Sequence, residues 1–373
     1  MKIAAVYIHI PFCLRKCNYC DFVSYPLSEC GQLRQCYPEL LLKELALYAE
    51  NVDFSPLRTI YFGGGTPSLM EPAEIARILA ALPAAAEVTL EANPETLDEA
   101  KLLAFHQAGI NRLSMGVQSF KPRLLQAMGR EHKPDQAREM VAAARQVGFD
   151  NINIDLIYGL PEQTLTDWQE DLDAALALDT GHISLYSLAV EEGTPWWQLE
   201  REGAIQPADQ DLSADMLEYA IATLSSAGYR HYEISNFARP GFESQHKLAY
   251  WRRENYLGLG AAAAGCLLNY RYYNQRSLVD YQCILNEGQR PIFDEENLTI
   301  DQVMSEAIFL GLRLSEGINF AAFAEQYGVS PLKRYRKQIR QMADAGLLEV
   351  NEKGMYLSPR GVLLGNEVFM QFV

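Results

Sequence analysis

The chain reads as a parallel α/β protein of about six β/α units that close into a barrel or partial barrel, with a small α+β module at the C-terminal end. Three observations predict this class. Short β-rich runs alternate with amphipathic stretches through the first half. Gln107-Ala-Gly109 and Gln146-Val-Gly148 end two of those stretches as helix C-caps, where Gly accepts the left-handed terminal residue. Successive strand ends carry glycine or polar side chains, the end at which such barrels keep their chemistry.

Taken in order, β-branched and aromatic runs predict strands over 5–9, 59–62, 87–91, 112–115, 151–157 and 182–185. Helices are expected over 38–50, 72–81, 97–108, 134–147 and 165–177. Near the end, 300–314 and 331–345 read as helices, followed by a β-hairpin turning at 351–354. With 373 residues the chain exceeds one ordinary core, so a division is expected. It runs 1–230 for the barrel, 231–295 for a connecting region, and 296–373 for a winged-helix-like module.

Composition narrows the function classes. The formal net charge is −16, which argues against a nucleic-acid substrate, since that binding relies on Lys and Arg neutralising phosphates. One basic island, residues 333–340, runs against the trend and reads as a solvated helix face. The longest apolar stretch, 256–268, is Gly/Ala-rich and too short for a membrane span. The first residues form too short an apolar run for a secretory signal, broken by His9 and Pro11, so a cytoplasmic location is expected.

The strongest local signal is Cys13-x3-Cys17-x2-Cys20, three thiols directly after the first strand. Cysteine thiolate is the usual ligand of iron–sulfur clusters, and three of them leave the fourth iron of a cubane open for a small molecule. A disulfide pair fits poorly, because the chain carries seven cysteines and no secretory signal. Zinc would ask for a second ligand pair at matching spacing, and none follows. A c-type haem site needs His after the last Cys, where Asp21 stands. The glycine run Gly63-Gly64-Gly65-Thr66-Pro67 follows the second strand, where absent Cβ atoms would let a ligand approach the backbone. Glu91, Gln118 and Asp155 stand at later strand ends; singly each is a plausible structural polar group, together they favour one shared ligand.

C-x3-C-x2-C with Tyr19 before the last Cys resembles the signature of radical S-adenosylmethionine (radical SAM) proteins. There the open iron of a [4Fe-4S] cluster is chelated by the amino and carboxylate groups of SAM, inside a six-unit partial TIM-type barrel. His9-Ile-Pro-Phe-Cys13, Ser114-Met-Gly-Val-Gln-Ser119, Gly129-Arg130 and Asn153-Ile-Asp-Leu-Ile-Tyr-Gly-Leu-Pro161 are similar to one branch. That branch is the oxygen-independent coproporphyrinogen III dehydrogenases and their paralogues, the haem chaperones. The resemblance implies that Cys13, Cys17 and Cys20 hold the cluster. It also implies that Tyr7, Gly64, Gly65, Thr66, Glu91, Gln118, Arg130, Asp155 and Ala189 line a SAM pocket.

Two features separate the branches. The dehydrogenases usually carry a cysteine two residues after the third ligand, where this chain has Phe22. The chaperones carry a His-Asn-x-x-Tyr-Trp haem motif, matched here by His246-Lys247-Leu-Ala-Tyr250-Trp251 except that Lys247 replaces Asn. Ala264 likewise stands where the family often has His. The resemblance therefore implies a haem chaperone that binds a cluster, SAM and haem, with His246 as the haem contact and a haem-acceptor protein as partner. The bland reading of His246 is a structural histidine in an aromatic-rich segment. Oxidative decarboxylation of coproporphyrinogen III, or radical chemistry on another small molecule, stays open. Whether the chain is an enzyme at all stays open with it.

Overall fold

The computed structural model describes all residues, 1–373. Six parallel strands form its centre: β1 (Ala5–Ile10), β2 (Thr59–Gly64), β3 (Glu87–Ala92), β4 (Arg112–Gln118), β5 (Asn151–Tyr158) and β6 (His182–Ser187). They pair in chain order, Ala5 opposite Thr59 and Asn153 opposite His182. Their burial is nearly continuous, as expected of strands covered on both faces. Helices α1 (Leu33–Tyr48), α2 (Pro72–Ala80), α3 (Glu99–Gln107), α4 (Pro122–Met128), α5 (Pro134–Gln146) and α6 (Leu165–Ala177) return the chain between strands. This is the parallel α/β arrangement of six units that the sequence predicts.

Local chemistry explains the helix ends. Asp98 accepts the Lys101 N–H ahead of α3, and Thr164 accepts that of Asp167 ahead of α6. Gly109 and Gly148 adopt φ of +107° and +108°, in the caps expected of them. Helix α1 departs from expectation by starting before Pro38 rather than at it. Its first turns are held by tertiary contact: the Tyr37 hydroxyl donates to the His9 carbonyl (2.9 Å) and accepts the Ala261 N–H (2.9 Å).

After helix α7 (Gln210–Ser226) come β7 (Arg230–Glu233) and β8 (Asn236–Ala238), which extend the sheet antiparallel beyond β6. Helix α8 (Gln245–Trp251) crosses to the opposite edge, where β9 (Tyr256–Leu259) joins β1 in parallel. Then β10 (Ala264–Leu267), β11 (Tyr270–Asn274) and β12 (Ile292–Asn297) continue antiparallel. The result is one sheet of 12 strands, ordered β12-β11-β10-β9-β1-β2-β3-β4-β5-β6-β8-β7.

The C-terminal segment carries helices α9 (Ile300–Gly311), α10 (Phe320–Tyr327) and α11 (Arg336–Asp344). Strands β13 (Ile318–Asn319), β14 (Leu348–Val350) and β15 (Gly354–Leu357) form its small sheet. Ile308, Phe323, Ile339, Met355 and Phe369 give it a core of its own. Glu306 ties it to the rest through Arg253 (3.0 Å) and Arg271. No helix is long and apolar enough to cross a membrane.

Candidate radical SAM site

The three cysteines lie on the loop that leaves β1. Phe12–Cys13 bridges to Tyr25–Pro26 and closes that loop. The Trp196 N–H donates to the Asn18 carbonyl (3.0 Å), and the Trp196 ring packs on Tyr19 at 5.9 Å. Trp196 is thus a buried prop for the cysteine loop rather than a cover over a cofactor. All seven cysteines are free thiols.

The glycine run has a different physical reason from the one expected. A Cβ on Gly65 would stand 2.6 Å from the Phe12 carbonyl oxygen, and one on Gly64 would collide with the His9 ring. Gly64 also has φ +113°. These glycines let β2 pass under the cysteine loop, so the chain's own neighbours exclude a side chain before any ligand does. The Gly65 N–H donates to the Ile10 carbonyl (2.9 Å) and that of Thr66 to Phe12 (2.7 Å), fixing the loop root.

One cavity of about 370 Å³ opens at the C-terminal ends of the parallel strands. Cys13, Cys17 and Cys20 line it, together with Gly64, Gly65, Thr66, Glu91, Gln118, Arg130, Asp155 and Ala189. Tyr7 does not reach it: its hydroxyl bonds His9 Nδ1 (2.9 Å), one layer below the glycines. Asn93, Ser114, Gly116, Tyr186 and Phe22 line the cavity too, and sequence reasoning did not single out the first four.

The polar groups here are incompletely satisfied. Glu91 accepts from the Tyr61 hydroxyl (2.6 Å) and the Gly64 N–H (3.1 Å), and burial, reinforced by Asp155, pushes its carboxyl up to about 7. Asp155 accepts from Asn153 Nδ2 (2.8 Å) and the Ser114 hydroxyl (3.2 Å). Gln118 sits at a bulge in β4 with φ +67°, and its side-chain oxygen is buried without a partner. Arg130 Nε is a second buried orphan in the same cavity. Unpartnered buried polar atoms and a left-handed non-glycine residue are expected where a ligand supplies the missing bonds.

The donor set fits a cluster better than a lone ion. No group of three or more His, Cys, Asp or Glu side chains converges to hold a single metal ion. A cubane spreads its irons, so its three thiolates need to share a loop without meeting at one point. Burial raises the Cys13 thiol and pushes that of Cys20 up to about 11.

His246 lies elsewhere. It is 1% exposed and sits near the opposite end of the barrel, where its backbone N–H donates to Glu87 at the start of β3 (3.0 Å). Its Nδ1 bonds the Thr59 hydroxyl (2.8 Å) and its Nε2 the Tyr250 hydroxyl (2.8 Å), with Tyr61 stacked at 4.9 Å. Burial lowers its pKa to about 3. Both ring nitrogens of His246, the expected haem contact, are thus engaged by hydroxyl groups of the fold. The i, i+4 pairing with Tyr250 is present, but it closes the barrel floor. Lys247 turns inward and donates to the Tyr186 hydroxyl (2.8 Å) and Asn236 Oδ1 (3.0 Å), while Trp251 packs under the Arg313 guanidinium at 4.3 Å.

Comparison with known proteins agrees with this geometry. Residues 7–175 match the Radical SAM superfamily and 298–364 the HemN C-terminal domain. The chain is 38% identical to the heme chaperone HemW of Bacillus subtilis (strain 168), with 99% of each chain covered. It is 37% identical to the heme chaperone HemW of Lactococcus lactis, covering 99% of this chain and 97% of that one. The solved structure of the coproporphyrinogen III oxidase HemN from Escherichia coli, a radical SAM enzyme, superposes with a TM-score of 0.85 at 25% identity, covering 100% of this chain and 90% of that one. With full-length relatives at this identity and a strand-end cavity that gathers the three cysteines, the chain belongs to the HemW-like family of radical SAM proteins.

Proposed function

We propose that this chain is a radical SAM haem chaperone: it holds a [4Fe-4S] cluster on Cys13, Cys17 and Cys20, SAM beside it, and haem for delivery to an acceptor protein. Family membership implies the cluster and SAM. The observation that carries the site assignment is the single cavity joining the three thiols to the orphaned Gln118 oxygen and Arg130 Nε. When bound, the cluster supplies an electron to SAM. The chain's residues orient that cofactor. Gln118 and Arg130 offer an acceptor and a donor, and the Glu91 and Asp155 carboxyls on the same cavity wall suit a ligand that carries positive charge. Gly64 and Gly65 bring bare backbone to the cavity wall, their N–H groups bonded to Glu91 and to the Ile10 carbonyl.

Haem carriage rests on the relatives and on Phe22, which stands at the cavity mouth, 62% exposed, where the dehydrogenases usually carry a cysteine. The cavity volume falls at the low end of the ~300–1,000 Å³ typical of ligand pockets. Anaerobic reconstitution followed by iron and sulfide analysis, SAM titration and haem titration on one preparation tests all three ligands. A spectrum without a Soret shift on haem addition would remove the haem assignment and leave the cluster and SAM.

The likeness to the coproporphyrinogen oxidase structure over the whole chain supports a second reading, oxidative decarboxylation of porphyrinogen propionates. Anaerobic incubation with dithionite, SAM and coproporphyrinogen III separates the two. Decarboxylated product would replace the chaperone reading.

A further inference from the structure

Between the strand-end carboxylates and the cysteine loop stands Asn93, which none of the expected roles includes. Its side chain accepts from Arg130 Nη2 (2.8 Å) and donates through Nδ2 to the Thr66 hydroxyl oxygen (3.1 Å). Each of those two partners then points at a cluster cysteine. Thr66 Oγ1 lies 3.5 Å from Cys13 Sγ, and Arg130 Nη1 lies 3.7 Å from Cys17 Sγ.

The direction of every proton in this chain follows from donor and acceptor chemistry alone. A guanidinium only donates, so the Asn93 oxygen must face Arg130 and its amide must face Thr66. The Thr66 oxygen therefore accepts, and its hydroxyl hydrogen is free for the sulfur of Cys13. Arg130 is held from the other side by the Gly116 carbonyl, so its aim at Cys17 is not a matter of rotamer choice.

We propose that Asn93 is a positioning residue that sets the reduction potential of the cluster, by aiming one neutral and one cationic donor at two of its three thiolates. The inference rests on the assignment of Cys13, Cys17 and Cys20 as cluster ligands. Reduction by one electron adds negative charge to the cluster and its sulfurs. Hydrogen bonds to the sulfurs and a nearby positive charge stabilise that reduced state and raise the potential. Without Asn93, Thr66 loses its donor and Arg130 one of its anchors, so both sulfur contacts loosen together.

The test is a redox titration with dithionite, followed by electron paramagnetic resonance, on reconstituted protein free of SAM. Leaving SAM out separates an effect on the cluster from an effect on cofactor binding. Asn93→Ala is expected to lower the ratio of reduced to oxidised cluster about tenfold at the wild-type midpoint, a shift of ~59 mV to more negative potential for a one-electron couple. Thr66→Val and Arg130→Met should move it the same way, Arg130→Met further because it also removes charge. Asn93→Asp serves if the alanine variant fails to assemble: it keeps an acceptor for Arg130, cannot donate to Thr66, adds negative charge, and should also shift negative. An unchanged midpoint in variants that assemble a cluster would overturn the proposal, even if their melting temperature or cluster content falls. Wild-type protein without a cluster would instead sink the ligand assignment beneath it.

Discussion

His246 and Gln118, at opposite ends of the barrel, meet their hydrogen-bonding demands in opposite ways. At the N-terminal end, α8 plugs the barrel and both nitrogens of His246 and its backbone N–H are bonded. At the C-terminal end, the Gln118 oxygen and Arg130 Nε are buried without partners, beside a residue held at positive φ. A satisfied buried group stabilises the fold, whereas an orphan lowers its stability until something binds. His246 thus contributes to cohesion at one end, whereas the Gln118 oxygen stays available at the other.

The largest expected effect lies in the receptive end. Cys17→Ala or Cys20→Ala should abolish bound iron and sulfide after reconstitution, while Cys36→Ala and Cys283→Ala retain them. Retention in the first pair would break the comparison at its root.

His246→Ala and Gln118→Ala then contrast the ends directly. The first deletes a buried ring and orphans the Thr59 and Tyr250 hydroxyls, so denaturant melts should show a loss of about 3 kcal/mol. The second removes an atom that has no partner and should cost under about 1 kcal/mol. Its effect should appear in SAM affinity, weakened about tenfold. Equal stability losses would mean that the cavity end is as cohesive as the floor.

A third test is pH. The Glu91 carboxyl is raised in the fold from 4.5 to about 7, so between those values the native state binds more protons than the unfolded one. Its contribution is fully present below pH 4.5 and is lost as pH rises to about 7. At ~1.4 kcal/mol per unit, Glu91→Gln should remove about 3 kcal/mol of that decline. The slope from Glu44, also raised to about 7 by burial, would remain. Wild-type and variant stability curves that run parallel from pH 4.5 to 7 would show that Glu91 is not held protonated.

The smallest effect is expected at the residue that spans both ends. Lys247→Asn removes the bond to Tyr186, a cavity-lining ring, and should change stability by about 1 kcal/mol without moving SAM affinity. A large change in affinity would mean that floor and cavity are coupled.

Much of this was legible along the chain, for reasons that individual residues show. The parallel strands stood out because burial on both faces leaves near-continuous apolar runs such as Thr59-Ile-Tyr-Phe62. The cysteine trio was readable because its members lie within eight residues. Asn93 was not, since Asn before Pro reads as an ordinary turn, and its role depends on Thr66 and Arg130 arriving from other segments. The glycine run was noticed but explained by a ligand, because nothing in the text reveals that Phe12 and His9 cross it.

By itself, the amino-acid order determined the α/β alternation, the helix caps and the clustered thiols, all of which depend on neighbours within a few positions. Which buried polar groups are engaged and which stay without a partner was decided only by folding. His246 meets Thr59 from 187 positions away, and a hydrogen-bonding group stays available or becomes committed according to such distant partners.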